Sequence, residues 1–480
     1  MKLRRTLRRH FSARRPRWVD RLQLLLAGGR WSANVPPLAR TNLRRLILSG
    51  VLDNISDAIV NTYQAVYLVA LGATRAEIGL LSSLSNVTMP VGSLPGGRLA
   101  ARQRRYKRLV ALPSLLGRLL LLGLVLLPSF DLPIQTLVYL AMAFAVGRAL
   151  LLNLSNPART VLLSKAVPLR WRGRYFSARN IFMGGGAFVA LLLIGRGIDL
   201  LGSPLGYQAA LGGAVLAALG SAAILARFQE EPAERAAEKP IGTGDFLRNL
   251  RRRKAFVRLC AVSTLWSFGV NIASPFFIIF LAEQVQAPAA TLGLVSAAST
   301  LSALPGQRLF GGWLDRKGTA WVKRLTGFLI PIVPALWGFM QRPWQAYPLQ
   351  LFSGFVWAGY NLATFNFLLE MTPDENRPRY VAFQQSLVGL GMAAGAALGG
   401  WIAQSWGYTP VFLISAAGRL LASAVFALGI AEVNPVRRTR RALSQRLDAI
   451  SRRRKRRKTT PPRAETSPTE PTRSDEDGKI

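Results

Sequence analysis

The chain has 480 residues, half of them hydrophobic, and a formal net charge of +39. A soluble protein that basic reads as a nucleic-acid binder, but here the cations are segregated from the apolar runs, and no nucleic-acid partner is expected. The single cysteine, Cys260, excludes an internal disulfide, and the single histidine, His10 in the basic N-terminus, excludes a histidine metal site or triad in the apolar part.

Residues 1–45 form a basic N-terminal segment, expected to be cytoplasmic. Within it, Trp18 to Trp31 carries Leu22, Leu24, Leu25 and Leu26, which fits an interfacial helix on anionic lipid or a solvated basic tail. The segment is too long and too basic for a secretory leader, so none is expected. Six apolar runs follow at 46–70, 77–96, 108–128, 133–156, 177–199 and 207–227. Each is near the ~20 residues that cross a bilayer as a helix. Together, 46–227 is expected to form an N-terminal six-helix half. Residues 228–255 make a cytoplasmic linker, acidic at Glu230, Glu231, Glu234 and Glu238 and then basic from Arg251 to Lys254.

Six further runs, at 256–282, 290–308, 323–341, 345–369, 380–403 and 409–431, are expected to form the C-terminal half, 256–431. Residues 432–480 read as a basic, disordered cytoplasmic tail, with a polybasic run from Arg452 to Lys458 suited to anionic lipid. Of the 62 Lys and Arg, 56 lie in or beside the N-terminus, the alternate short loops, the linker and the tail. The opposite loops carry Arg75 and Arg342, with Arg196 near a helix end. Cations concentrate on the cytoplasmic face, which places both termini inside a cell (plasma or inner) membrane. An even number of spans agrees.

The two halves repeat. Pro168, Arg172, Arg174 and Tyr175 match Pro373, Arg377, Arg379 and Tyr380 at a constant offset, as do Asn156 with Asn361 and Gly195 with Gly400. Pro95-Gly96-x-Arg98-Leu99 matches Pro305-Gly306-x-Arg308-Leu309. Parallel repeats of this kind build transporters whose site lies between the halves.

Three motifs carry a family resemblance. Gly311 to Gly318 reads Gly-Gly-Trp-Leu-Asp-Arg-Lys-Gly in the loop after helix eight, Glu370 and Arg377 stand seven apart after helix ten, and Gly389 to Gly400 is a glycine-rich helix. With the repeat and the helix count, the chain resembles the major facilitator superfamily over roughly residues 44–432. The resemblance implies an all-α membrane protein of twelve transmembrane helices in two pseudo-symmetric six-helix halves. It further implies a cytoplasmic gate at Asp315, Arg316, Glu370 and Arg377, with Arg172 at the matching first-half position.

The departures matter. The family's loop motif is usually clearest after helix two, where this chain has Ala100 in place of the Asp. Lys165 replaces the Glu that pairs with Arg in the second half, and the glycine-rich helix is helix eleven, not helix five. No subfamily is assigned.

Ionisable groups inside a membrane are costly unless solvated or paired. Asp53, Asp57 and Asn61 share one face of helix one, and the repeat maps them to Ser263, Ser267 and Asn271 of helix seven. The resemblance puts these helices around a central cavity. Asp57 and Asp53 are then candidates for proton or substrate binding, or else pair structurally with Arg118 or Arg148. Arg148 is the deeper arginine and a candidate for an anionic substrate group, while Arg419 reads as a packing or lipid-facing residue. Trp357, Tyr360, Asn361, Thr364 and Asn366 give helix ten an amphipathic set suited to an organic substrate, or to packing. No phosphate loop, metal cluster or nucleophile–base pair is present, so neither an ATP-driven pump nor an enzyme is expected, and no cofactor.

The reading is therefore a secondary active transporter of a small organic solute, monomeric, proton-coupled and working by alternating access. Uptake and efflux remain open, and a non-transporting receptor or scaffold is the alternative.

Overall fold

All twelve apolar runs are helical in the computed structural model, which describes residues 36–102, 105–167, 172–230, 248, 250, 252–372 and 377–429. These residues belong to one compact unit, Met1–Ala431. The Trp18–Trp31 segment, most of the linker, the polybasic tail and the side chains of Arg172 and Arg377 lie outside the described residues.

The first half comprises α1 (Pro37–Ala70), α2 (Arg75–Arg102), α3 (Lys107–Leu126), α4 (Ile134–Ala166), α5 (Arg172–Leu201) and α6 (Leu205–Ala226). The second comprises α7 (Lys254–Ala273, resuming as Phe277–Glu283), α8 (Ala289–Lys317), α9 (Thr319–Leu329, resuming as Ile332–Trp337), α10 (Ala346–Met371), α11 (Arg377–Trp406) and α12 (Tyr408–Gly429). The helices overrun the apolar runs; α1 starts at Pro37, a residue suited to a first turn, rather than at residue 46. Hydropathy marks only the hydrocarbon span, while helical hydrogen bonding continues beyond it. The interruptions in α7 and α9 fall at Pro275 and Pro331, which lack the N–H a continuous helix needs.

Among the described residues, eight helices are long and apolar enough to cross a membrane. The four that are not are α1, α2 and α10, which are more polar, and α9, which is broken into two short pieces. A helix facing a hydrated cavity can keep polar groups, and one facing lipid cannot.

Packing repeats as the sequence does. In the first half α1 packs on α5 and α6, α2 on α4, and α3 on α4 and α6; in the second α7 packs on α11 and α12, α8 on α10, and α9 on α10 and α12. The two most extensive pairings between the halves are α2 with α11 and α5 with α8, and the repeat exchanges one pair for the other. The repeated Pro-Gly serves the same contact in each half. A β-carbon on Gly96 would strike the Leu154 carbonyl of α4, and one on Gly306 would lie 2.5 Å from the Phe355 carbonyl of α10.

In α11, Gly391, Gly395 and Gly399 stand at successive turns against the carbonyls of Thr264, Phe268 and Ile272 in α7. That stripe of small residues lets the two backbones touch, which replaces the hydrophobic driving force that lipid removes. Leu200 and Leu428, both almost fully exposed, face outward as lipid-facing side chains do.

Candidate functional site

A cavity of about 1080 Å³ is lined by Asn180 of α5 and otherwise by second-half residues of α7, α8, α9, α10 and α12. Its polar wall includes Ser274, Ser299, Gln307, Gln350, Ser353 and Asn361; Phe277, Trp357 and Phe365 supply rings. The lining runs from Gln350, toward the end remote from the termini (the distal end), to Phe365 near the end that carries them (the proximal end).

The distal end is closed. The Asp199 carboxylate of α5 accepts backbone N–H bonds from Ala289 at 2.7 Å and Ala290 at 3.0 Å, capping α8 from the other half. Arg75 of α2 pairs with Glu283 at the end of α7 at 3.2 Å. The guanidinium carbon of Arg75 also lies 4.4 Å from the centre of the Tyr408 ring, whose hydroxyl donates to Glu283 at 2.5 Å. Tyr63 of α1 donates to the Ala289 carbonyl at 3.1 Å. Gly79 and Gly400 bring the α2 and α11 backbones together at the same end. Nearer the middle, Asn271 accepts from Asn86 of α2 at 3.5 Å and donates to Ser267 at 3.1 Å.

The acidic face of α1 is fully engaged. Asp53 sits between Arg118 of α3 at 3.0 Å and Arg159 of α4 at 3.2 Å. Asp57 takes a 2.6 Å bond from Arg148 of α4, with its side chain 46% exposed against 14% for the arginine. Pairing and hydrogen bonding are what allow carboxylates in such a setting. Asn61, the third member of the face, is exposed and makes no hydrogen bond to Asp57. Arg179 of α5 lies against Gly50 of α1, with its Nε lacking a partner among the described residues.

Helix α10 divides its candidates. Trp357 and Asn361 line the cavity. Tyr360 turns the other way, stacked on Trp266 at 4.4 Å inside the second-half core, because the aromatic stack covers its ring more completely than the cavity would. There it meets Lys323 of α9, a buried ammonium surrounded by the rings of Tyr360, Phe367 and Phe426 at 5.5, 5.7 and 4.9 Å. Of the two readings of Arg419, packing or lipid-facing, the second falls. It does not face lipid: it is 2% exposed, donates to Ser415 at 3.1 Å and to the Val270 carbonyl at 3.2 Å, and lines the cavity.

At the proximal end Asp315 and Arg316 are exposed, and the Glu370 carboxylate accepts from Thr319 at 2.8 and 3.0 Å. The sequence does not single out Arg159, Asp199, Glu283 or Lys323. Arg159 has a signal, since three helical turns after Arg148 returns to the same face. The other three depend on which helices meet, which no single-helix pattern contains.

The family model for the Major Facilitator Superfamily matches residues 46–269 and again 259–468. The fold resembles solved structures of the nucleoside transporter NupG (17% identity, TM-score 0.63, covering 80% of this chain and 98% of that one). It also resembles a bacterial homologue of the iron transporter ferroportin in an inward-facing state (13%, 0.63, 83% and 100%). A D-xylose–proton symporter is similar as well (12%, 0.60, 87% and 98%). No curated protein sequence matches the chain.

Proposed function

The chain belongs to the major facilitator superfamily, and on that premise we propose that it is a secondary active transporter carrying a small organic solute by alternating access. The observation that carries this reading is the large, partly polar cavity reaching toward the proximal end while the halves are clasped distally. One chain builds the whole path, so a monomer suffices. The cation asymmetry puts the proximal end in the cytoplasm, which makes this the inward-facing state in a cell membrane.

Coupling to protons is assigned to the Asp57–Arg148 pair. Asp57 is half-exposed, so water can reach its carboxylate from the open side, and protonation would release Arg148. Movement between states changes the hydration of such a pair, which links proton binding to access. The ferroportin and xylose relatives differ in cargo, and neither cargo is carried over to this chain.

The test is flux. Purified full-length protein in sealed proteoliposomes, given a pH gradient and a panel of radiolabelled solutes, should accumulate at least one of them, and a proton ionophore should abolish accumulation. Vesicles that bind solutes without moving them, under either gradient direction, would leave a receptor on the same fold.

A further inference from the structure

The cavity has one charged lining residue, Arg419, and no acidic one, among the described residues. Arg419 is buried in α12, and its described hydrogen bonds use two of its five N–H groups: Nε on Ser415 and one hydrogen of Nη2 on the Val270 carbonyl. Among the described residues no carboxylate pairs with it. A buried guanidinium without a counter-charge is expensive, and burial of a lone charge is normally relieved by pairing. Arginine also presents its N–H groups as a planar fork that matches a carboxylate or phosphate. The first-half network does not supply the missing charge. Asp53 and Asp57 already answer Arg118, Arg148 and Arg159, leaving that cluster itself short of one anion.

We propose that the solute is a small organic anion, its carboxylate or phosphate seated on the free edge of Arg419. Resting on the transporter reading above, this deepens it by naming the substrate class. The neutral part of the solute would lie along α10 and α8, between the Trp357 ring and the amide and hydroxyl groups of Asn361, Gln307 and Ser299. Asn180 meets it from the first half, so a solute held between Arg419 and Asn180 touches both halves at once. A cleft bearing one sign of charge between low-dielectric walls concentrates ions of the other sign.

The sign of the cavity can be tested with charged thiol reagents, whatever the solute. Asn361 is exposed and lines the cavity, whereas native Cys260 is buried and should not react. In an Asn361→Cys variant of the full chain, an anionic methanethiosulfonate (sulfonatoethyl) should label faster than the cationic trimethylammonioethyl reagent. After normalising to a small free thiol, the ratio should favour the anion by about tenfold or more. Adding Arg419→Gln should remove most of that preference. If Arg419→Gln fails to fold, the labelling ratio in the otherwise native protein still decides the sign of the cavity.

A second arm uses thermal unfolding of the purified protein with matched probes: gluconate and glucose 6-phosphate against glucose, and benzoate against benzyl alcohol. At least one anion should stabilise the protein where its neutral partner does not, and Arg419→Gln should abolish the effect. Gluconate or benzoate as the stabiliser identifies a carboxylate, glucose 6-phosphate a phosphate. A cation-preferring ratio, or stabilisation by neutral probes alone, overturns the proposal. If a neutral solute accumulates in proteoliposomes, the transporter reading stands and the anion assignment falls. If an anion binds through Arg419 and is never moved, the reverse holds.

Discussion

The Asp199 carboxylate reaches across the interface of the halves to accept the backbone N–H of Ala289, the first residue of α8. It thereby answers two of the four N–H groups that every helix start leaves open, one from each oxygen, and places negative charge at the positive end of the helix dipole. Because donor and acceptor belong to different halves, the cap exists only while the distal end is closed. Asp199→Ala should therefore cost about 1 kcal/mol of the closed state, as caps do. Combined with Glu283→Gln, which removes the Arg75 pair, the distal-open population should rise by roughly five- to thirtyfold. Spin labels at the exposed distal residues Leu200 and Gln341 would report this as a longer distance population. An unchanged distribution in the double variant would show that the remaining contacts, the Tyr63 hydrogen bond and the Gly79–Gly400 approach, hold the end shut.

The glycine stripe of α11 makes a packing prediction. A side chain at Gly395 or Gly399 has no room beside the α7 carbonyls of Phe268 and Ile272. Overpacking of this sort costs about 1–3 kcal/mol or more, since backbone must shift. Gly395→Leu and Gly399→Leu should lower the unfolding temperature or prevent recovery of folded protein. Gly212 of α6 has nothing within reach of an added β-carbon, so Gly212→Ala should be neutral or stabilise by about 0.5–1 kcal/mol. Equal effects at the two places would refute the packing account.

At the proximal end, Asp315 and Arg316 are exposed in this state, whereas Glu370 is held by Thr319. The resemblance assigns these groups, with Arg377, to a latch that closes the cytoplasmic side. On that assignment Asp315→Asn weakens only the closed state, by ~1–3 kcal/mol. A cysteine at Asn361 should then label faster from the cytoplasmic side in membranes energised to cycle. Labelling that does not change would remove Asp315 from the latch.

Topology is checked separately. Reporter fusions after Pro204 should read outside, and fusions after Lys239 or Arg437 should read cytoplasmic. An outside signal at Arg437 would remove the twelve-helix arrangement.

What the sequence makes legible divides along a physical line. The twelve runs and the repeat are properties of one chain segment at a time, since burial in lipid demands an apolar stretch of fixed length. The polar face of α1 is legible for the same reason: Asp53 and Asp57 are one turn apart whatever surrounds them. Their partners are not. Arg118 or Arg148 could meet either acid, and Arg159 joins them only because α4 turns the face it shares with Arg148 toward α1. Tyr360 and Asn361 are adjacent in sequence, yet one faces the core and the other the cavity. A helical step of about 100° separates neighbours, and which of the two faces the core depends on where α9 and α12 pack. Arg419 is ambiguous for a similar reason, because an isolated arginine in an apolar run looks the same whether it faces lipid or a cavity.

The two acids of α1 should behave differently when neutralised. Asp53 is bonded to two arginines and its side chain is 18% exposed, whereas Asp57 meets one arginine and is 46% exposed. Removing Asp53 leaves Arg118 and Arg159 facing each other without a counter-charge, a loss of the kind that costs about 3–5 kcal/mol when the site is buried. Asp53→Asn should therefore reduce the yield of folded protein, and replacing Arg118 or Arg159 as well should restore part of it. At Asp57, water already solvates much of the carboxylate, so the pair is worth closer to the ~1 kcal/mol of a partly screened ion pair. Asp57→Asn should fold with nearly native thermal stability, lose gradient-driven accumulation and keep downhill exchange, because the solute path is intact while the titrating group is gone. Two measurements decide the matter: unfolding temperature and uptake with and without a pH gradient. Gradient-driven accumulation at the native level by well-folded Asp57→Asn would exclude it as the coupling residue. A collapse in stability rescued by neutralising Arg148 would make the pair a structural brace instead.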